Sequence, residues 1–210
     1  MYLDRDLQFD WLTYIFPSGG RPAKFVDTHI SFELIFIMHL KSTLHMKAAK
    51  TIIDADHNAV TEAQKHLAQA LSVISYTDTV LISRWMPDNP ALERPWETRT
   101  EYVGFLAAFF EASAQQMFAT KALLTGSSLA GRLCLAVAEK MRAVVVRAPR
   151  LGVESFVAHA AIQRDFYYGL SYKLRAEIYL YKTETGMAIA CCNFGQVTYF
   201  SIFIYFYIIL

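Results

Sequence analysis

The sequence predicts an all-α protein built of antiparallel helical hairpins, with a short extended segment in front of them. Its six prolines leave proline-free runs at 23–86, 96–148 and 150–210, and proline is poorly tolerated inside a helix. Within these runs, apolar residues recur at spacings of three and four, as they do on one face of a helix. Short turn signals between successive helices favour antiparallel neighbours.

Residues 1–30 are predicted to form an extended arm or a β-hairpin that leads into the helical core. The turn cluster FPSGGRP at 16–22 separates the stretches QFDWLTYI and AKFVDTHI. Both stretches are rich in aromatic and β-branched residues, which favours paired strands on either side of the turn.

Five helices are predicted in a core domain at 31–192. The turn DADHN at 54–58, the proline-studded connector WMPDNPALERPW at 85–96 and the connector APRLG at 148–152 separate them. The fifth helix carries its apolar stripe as far as Ile178 and Tyr181. The predicted helices are 31–53, 59–84, 98 or 100 to 124, 127 or 128 to about 147, and 153 to about 182.

The turn between the third and fourth helices has the clearest local signals. Thr125-Gly126 follows Leu124 as a stop signal, because glycine commonly occupies the position just after a helix. Ser127 or Ser128 is then a suitable N-cap for the fourth helix.

The apolar tail at 193–210 has its own composition. No charged residue occurs from Thr185 to Leu210, and the chain ends in VTYFSIFIYFYIIL. Three interpretations stay open. In the first, the tail is a membrane anchor, since about 20 apolar residues span a bilayer. In the second, it is a buried core segment. In the third, it is sequence foreign to the domain, from translation past a natural exon or from a truncation.

Composition and charge argue against several classes of protein. A hydrophobic content of 54% with 19% charged residues is not that of a disordered chain. A net charge of +1 argues against a broad basic face for nucleic acid, so no nucleic-acid partner is expected. Cys134, Cys191 and Cys192 make no disulfide framework, and the N-terminus has no apolar signal sequence, so a cytoplasmic location is predicted.

No motif for catalysis or cofactor binding occurs in the chain. The patterns HExxH, GxSxG, GxxxxGK[ST] and GxGxxG are absent, and no two of the six histidines stand at i, i+4 spacing. The vicinal pair Cys191-Cys192 suits buried small hydrophobic residues better than a palmitoylation site before the tail. We therefore expect a protein that is not an enzyme and has no cofactor, metal or small-molecule substrate.

Several segments together carry a family resemblance. They are FDW at 9–11, FEL at 32–34, AQQ with Phe118 at 114–118, SLAGRLCLAVAEKM at 128–141 and AHAAIQRDFYYGLSYKLRAEIYLYKTETGMAIA at 158–190. In order and spacing these segments resemble the BRO-one (BRO1) domain family of endosomal-sorting scaffolds, and FDWLTY and SFELI are closer to BROX-like than to ALIX-like members. The resemblance covers about 7–192, roughly half of a complete domain. It departs from the family at GLSY (169–172) and in the absence of a CaaX-like terminus. The spacing from Tyr172 to Gly186 suits a helical hairpin of tetratricopeptide type.

The resemblance implies a non-catalytic scaffold whose hydrophobic groove binds the C-terminal helix of ESCRT-III filament subunits. It places the partner-binding residues at Phe118, Leu129 and Leu133, and it implies peripheral association with endosomal membranes. Independently, Leu129 and Leu133 are i, i+4 neighbours on one helix face. Ordinary interhelical packing is the alternative for all three. At the level of function, the alternatives are a generic tetratricopeptide-like adaptor and a tail-anchored membrane protein with a helical cytosolic domain.

Overall fold

The computed structural model describes residues 8–13, 23–55, 59–85, 94–148 and 154–209, with the backbone alone at 13, 23, 54–55, 154–155 and 199–209. The architecture is all-α with a short N-terminal β-hairpin, so the predicted fold class is confirmed. The predicted turn at 16–22 lies outside the described residues, as do most of the connectors at 85–96 and 148–152 and part of the turn at 54–58.

Each predicted helix is present, with ends that differ from the prediction by a few residues. The second helix continues beyond Tyr76 as a π-helical segment, Thr77–Ile82, and a short 3₁₀ turn at Trp96–Thr98 precedes the third helix. A sixth helix extends across the predicted boundary between core and tail at 192/193. The helices are α1 Ile30–Ala55, α2 Val60–Tyr76, α3 Thr100–Leu124, α4 Ala130–Arg147, α5 Glu154–Tyr181 and α6 Thr185–Ile209.

The chain forms two compact units, one of residues 1–110 with 147–153 and one of residues 111–146 with 154–210. In the first unit, strands β1 (Phe9–Thr13) and β2 (Ala23–Asp27) pair antiparallel with Trp11 opposite Phe25. Trp11 stacks on Phe36 of α1 at 4.5 Å between ring centroids, and its indole N–H donates to Glu33 at 2.7 Å. Side chains alternate along β1, so Trp11 is half-buried whereas Leu12 is exposed.

The core of the first unit lies between α1, α2 and the first half of α3. It contains buried aromatic and branched aliphatic side chains, among them Phe32, Ile35, Ile74, Trp85 and Phe110. Buried His39 fixes the 3₁₀ turn to α1, because its Nε2 lies 2.7 Å from the backbone carbonyl oxygen of Glu97.

The second unit contains the second half of α3 together with α4, α5 and α6. A Cβ at Gly131 of α4 would lie 3.4 Å from the Leu174 Cβ of α5, so α4 approaches α5 closely there. A Cβ at Gly195 of α6 would lie 3.6 Å from the carbonyl oxygen of Gly169 of α5, and Phe194 beside it stacks on Tyr172. The beginning of the predicted tail is therefore packed against α5.

Candidate partner-binding surface

The α3–α4 turn is built as its sequence predicts. Gly126 has φ +63°, a left-handed conformation that glycine adopts without steric cost. The amide of Ser127 donates to the carbonyl of Ala122 at 2.8 Å, and the amide of Leu129 lies 3.3 Å from the Ser127 hydroxyl. These contacts satisfy backbone groups that the two helix ends leave unpaired. The turn thereby fixes where Leu129 and the first residues of α4 stand relative to α3.

An ion pair sets the register between α3 and α4. The Lys140 ammonium lies 2.8 Å from the Glu111 carboxylate. Phe118 follows Glu111 by seven residues, and Leu133 precedes Lys140 by seven. Seven residues are close to two helical turns, so each side chain returns to the face of its helix that carries the ion pair. Because the helices are antiparallel, we infer that Phe118 and Leu133 lie across from each other on that face.

Phe118 and Leu129 are exposed apolar side chains, and Leu133 beside them is half-buried. Phe118 is 45% exposed and Leu129 is 53% exposed, whereas their neighbours Met117 and Ala130 are buried. We call these three residues the apolar patch. Their exposure leaves side-chain surface free for a partner, and their role in binding stays a prediction.

A groove lies beside the patch, between the first turn of α4 and the second half of α5. Its volume is about 640 Å³, and Leu129 contributes to its wall. Ile178 of α5 provides further apolar surface, and three basic side chains also face the groove: Arg132, Arg175 and Lys182. We call this feature the cationic groove. Neither Phe118 nor Leu133 lines it, so Leu129 is the residue that the patch and the groove share.

Sequence reasoning identified the patch residues but not the groove. The apolar spacing of the predicted fourth helix leaves Arg132 away from the apolar stripe, and no motif singles out Arg175 or Lys182. The i, i+7 spacing of Arg175 and Lys182 on the predicted fifth helix is a signal that the sequence does contain. The position of Arg132 opposite them depends on how α4 packs on α5, which the sequence does not show.

A histidine pair was also missed, because the two residues lie on different helices. The Nδ1 atoms of His45 on α1 and His66 on α2 are 3.2 Å apart. Desolvation by burial, and then the nearby His66, lower the pKa of His45. Within the described residues, no third His, Cys, Asp or Glu joins them as a metal ligand.

The cysteines differ in their surroundings. Burial raises the pKa of the Cys134 thiol to about 11, so this group stays protonated and packs as a small apolar side chain. Cys191 is buried and Cys192 is exposed, and both are free thiols.

Comparison with known proteins gives no family assignment: no protein-family model matches the chain, and no curated protein is similar to it. Among the residues that the structure describes, no helix is both long enough and apolar enough to cross a membrane.

Proposed function

We propose that the chain is a non-catalytic interaction scaffold of the BRO-one type, which recruits ESCRT-III filament subunits in endosomal sorting. The observation that carries this proposal is the exposure of the apolar patch on the α3–α4 hairpin. Phe118 and Leu129 project apolar surface toward solvent at the positions where the resemblance expects a partner helix. Peripheral association with endosomal membranes belongs to the same proposal.

The patch has the physical properties of a site for an amphipathic helix. Such a helix places residues at i, i+3, i+4 and i+7 on one apolar face, and it binds by inserting a few of them between side chains of the receptor. Phe118 offers an aromatic surface, and Leu133 faces it across the hairpin under the register set by Glu111 and Lys140. A few central anchors of this kind supply most of the affinity in a typical interface.

The hairpin holds the patch in a defined geometry before the partner arrives. The left-handed Gly126 closes the turn, and the Ser127 hydroxyl caps the amide of Leu129. A binding surface on rigid helices loses little conformational entropy on association. The second candidate function, a generic helical adaptor, would use the same surface with an unrelated partner, so the identity of the peptide distinguishes the two.

The test is a fluorescence-anisotropy titration of the full chain against labelled C-terminal helix peptides of ESCRT-III subunits. Leu133→Asp should weaken binding by about 30-fold or more, since loss of a central anchor costs about 2 kcal/mol or more. Leu129→Asp is the second variant, and because Leu129 is exposed its substitution puts less of the fold at risk.

Val146→Asp is the matched control. Val146 lies on the same helix, is 64% exposed and belongs to neither the patch nor the groove. Circular dichroism would establish that all variants keep wild-type helicity. We expect the wild type and Val146→Asp to bind the peptide and the two patch variants not to bind it. Absence of binding by the folded wild type would overturn the proposal. Equal binding by all variants would exclude the apolar patch as the binding site.

A further inference from the structure

We propose that the cationic groove between α4 and α5 is a binding site for a small ligand that carries two or more phosphate groups. This site shares Leu129 with the apolar patch but does not depend on the function proposed for the patch. Arg132 of α4, Arg175 of α5 and Lys182, the residue that follows α5, line the groove.

The charge balance in the groove calls for an anion. None of the residues that line it is acidic. Within the described part of the chain, no carboxylate pairs with Arg132, Arg175 or Lys182, whereas the neighbouring Arg142 and Lys173 have Glu139 and Glu177 within 3.8 Å. Three like charges that face one groove repel one another, and a bound polyanion would relieve this repulsion.

The donor set favours phosphate over carboxylate. A guanidinium group presents a planar fork of N–H donors that binds phosphate oxygens in pairs. The hydroxyl groups of Ser128 and Tyr179 also belong to the lining and add neutral donors. One phosphate monoester carries about −1.5 to −2 charges at neutral pH, so two of them neutralise the three cations. A carboxylate ligand would need three groups in the same space.

The size of the groove agrees with a small molecule. Its volume of about 640 Å³ falls in the range of about 300–1,000 Å³ that is typical of small-ligand sites. Lys182 directly follows α5, and its amide still donates to the Ile178 carbonyl at 3.1 Å, so the seven residues from Arg175 to Lys182 separate their Cα atoms by about 10 Å. Apolar surface from Leu129 and Ile178 lies among the cations and can contact the carbon skeleton of the ligand. A phosphorylated polyol has this combination of separated phosphate groups and a compact carbon ring.

The first experiment is isothermal titration calorimetry of the full chain with inositol trisphosphate. Arg132→Gln and Arg175→Gln should each raise the dissociation constant by about tenfold or more, since each removes a guanidinium group that would form charge-assisted hydrogen bonds to phosphate. Arg142→Gln is the matched control, because Arg142 lies on the same helix as Arg132 and is exposed outside the groove. It should bind as the wild type does.

A second arm distinguishes a free ligand from a lipid headgroup. Co-sedimentation with phosphatidylcholine vesicles, with and without phosphatidylinositol bisphosphate, should show lipid-dependent binding that is lost in Arg175→Gln if the phosphates belong to a membrane. Binding of soluble inositol trisphosphate without vesicle binding would identify a free ligand, and either result supports the site.

Three results would overturn the proposal. The first is the absence of binding to either probe by the folded wild type. The second is an equal loss of affinity in Arg142→Gln and the groove variants, which would indicate a general charge effect. The third is displacement of inositol trisphosphate by a glutamate-rich peptide at the same concentration, which would make the groove a site for an acidic protein segment.

Discussion

The ammonium group of Lys140 lies 2.8 Å from the carboxylate of Glu111, and this contact aligns α4 with α3. From it follows the placement of Phe118 opposite Leu133, two helical turns closer to the Gly126 turn. The same α4 presents Arg132 to the groove it forms with α5. The two proposed binding surfaces therefore share one helix, α4, whose position the ion pair and the turn define.

The ion pair should align the helices without contributing much to stability. Both side chains are about half exposed, and exposed pairs typically contribute 0 to about 1 kcal/mol. Lys140→Gln should therefore lower the free energy of unfolding by less than about 1 kcal/mol. Urea denaturation at low and high salt checks this, since the difference from wild type should shrink as salt screens the pair. A loss that persists at high salt would point to packing of the lysine stem instead.

Gly126 should be difficult to replace. Its φ of +63° is a left-handed conformation, which is less favourable by about 1–2 kcal/mol for a residue with a Cβ. Gly126→Ala should therefore lower the free energy of unfolding by about 1–2 kcal/mol. Gly104→Ala, in the interior of α3, is the matched control. A Cβ there meets nothing within 4 Å, and alanine is favoured over glycine inside a helix by about 0.5–1 kcal/mol. In urea denaturation, the change in the free energy of unfolding should thus have opposite signs for the two substitutions. Changes of the same sign would contradict this explanation of the turn.

Trp11 should be the residue that holds the N-terminal hairpin on α1. Trp11→Ala removes the stacking on Phe36 and the hydrogen bond to Glu33. It should lower the free energy of unfolding by about 2 kcal/mol, which is less than the loss of about 3–5 kcal/mol on replacing a fully buried tryptophan by alanine. Leu12→Ala changes the adjacent exposed residue, and its free energy of unfolding should stay within about 0.5 kcal/mol of the wild-type value. Urea denaturation followed by circular dichroism measures both values. Equal losses would mean that the hairpin contributes no specific contact.

His39 should make the first unit less stable in acid. Burial lowers the pKa of His39 below its usual 6.5, although the hydrogen bond to the Glu97 carbonyl opposes this shift. Among the described residues its Nδ1 has no hydrogen-bond partner, so a proton there would be a buried, unsolvated charge. The unfolded chain therefore binds more protons than the folded one near and below pH 6.5. The contribution of His39 to stability is complete above that pH and is lost as the pH falls through it.

Unfolding by urea at pH 7.5 and pH 5.5 measures this dependence. His39→Gln keeps an amide donor for the Glu97 carbonyl. This variant should show a smaller difference in the free energy of unfolding between pH 7.5 and pH 5.5 than the wild type does. His159→Gln replaces an exposed histidine and should leave that difference unchanged. If His39→Gln also leaves it unchanged, another group is responsible for the loss of stability in acid.

The sequence predicted the helices well because their signals are local. Gly126 and the serines after it marked the α3–α4 turn, and apolar spacing identified α5 over nearly its whole length. The same spacing placed Tyr181 on the apolar stripe of α5, yet this side chain is 93% exposed. Periodicity shows that a helix has an apolar face, but whether a neighbour covers that face to its end is decided by the lengths and positions of other helices.

Contacts between helices were the part that the sequence did not predict. His45 and His66 are 21 residues apart, and their contact depends on the register in which α1 and α2 pack. Arg132 joins Arg175 and Lys182 only because α4 approaches α5 closely at Gly131. The candidate residues Phe118, Leu129 and Leu133 came from the family resemblance, and the spacing of the two leucines was the one feature that the residues themselves supplied.

The central claim is that the apolar patch contacts an ESCRT-III C-terminal helix, and site-specific photo-crosslinking tests it most directly. The photoreactive amino acid p-benzoyl-phenylalanine would replace Phe118 in the full chain, or Val146 in the control. Each protein would be irradiated with the labelled peptide, and the covalent adduct quantified by mass spectrometry. The proposal predicts an adduct from position 118 that unlabelled peptide suppresses, and little from position 146. No adduct at position 118, or equal adducts at both positions, would contradict it.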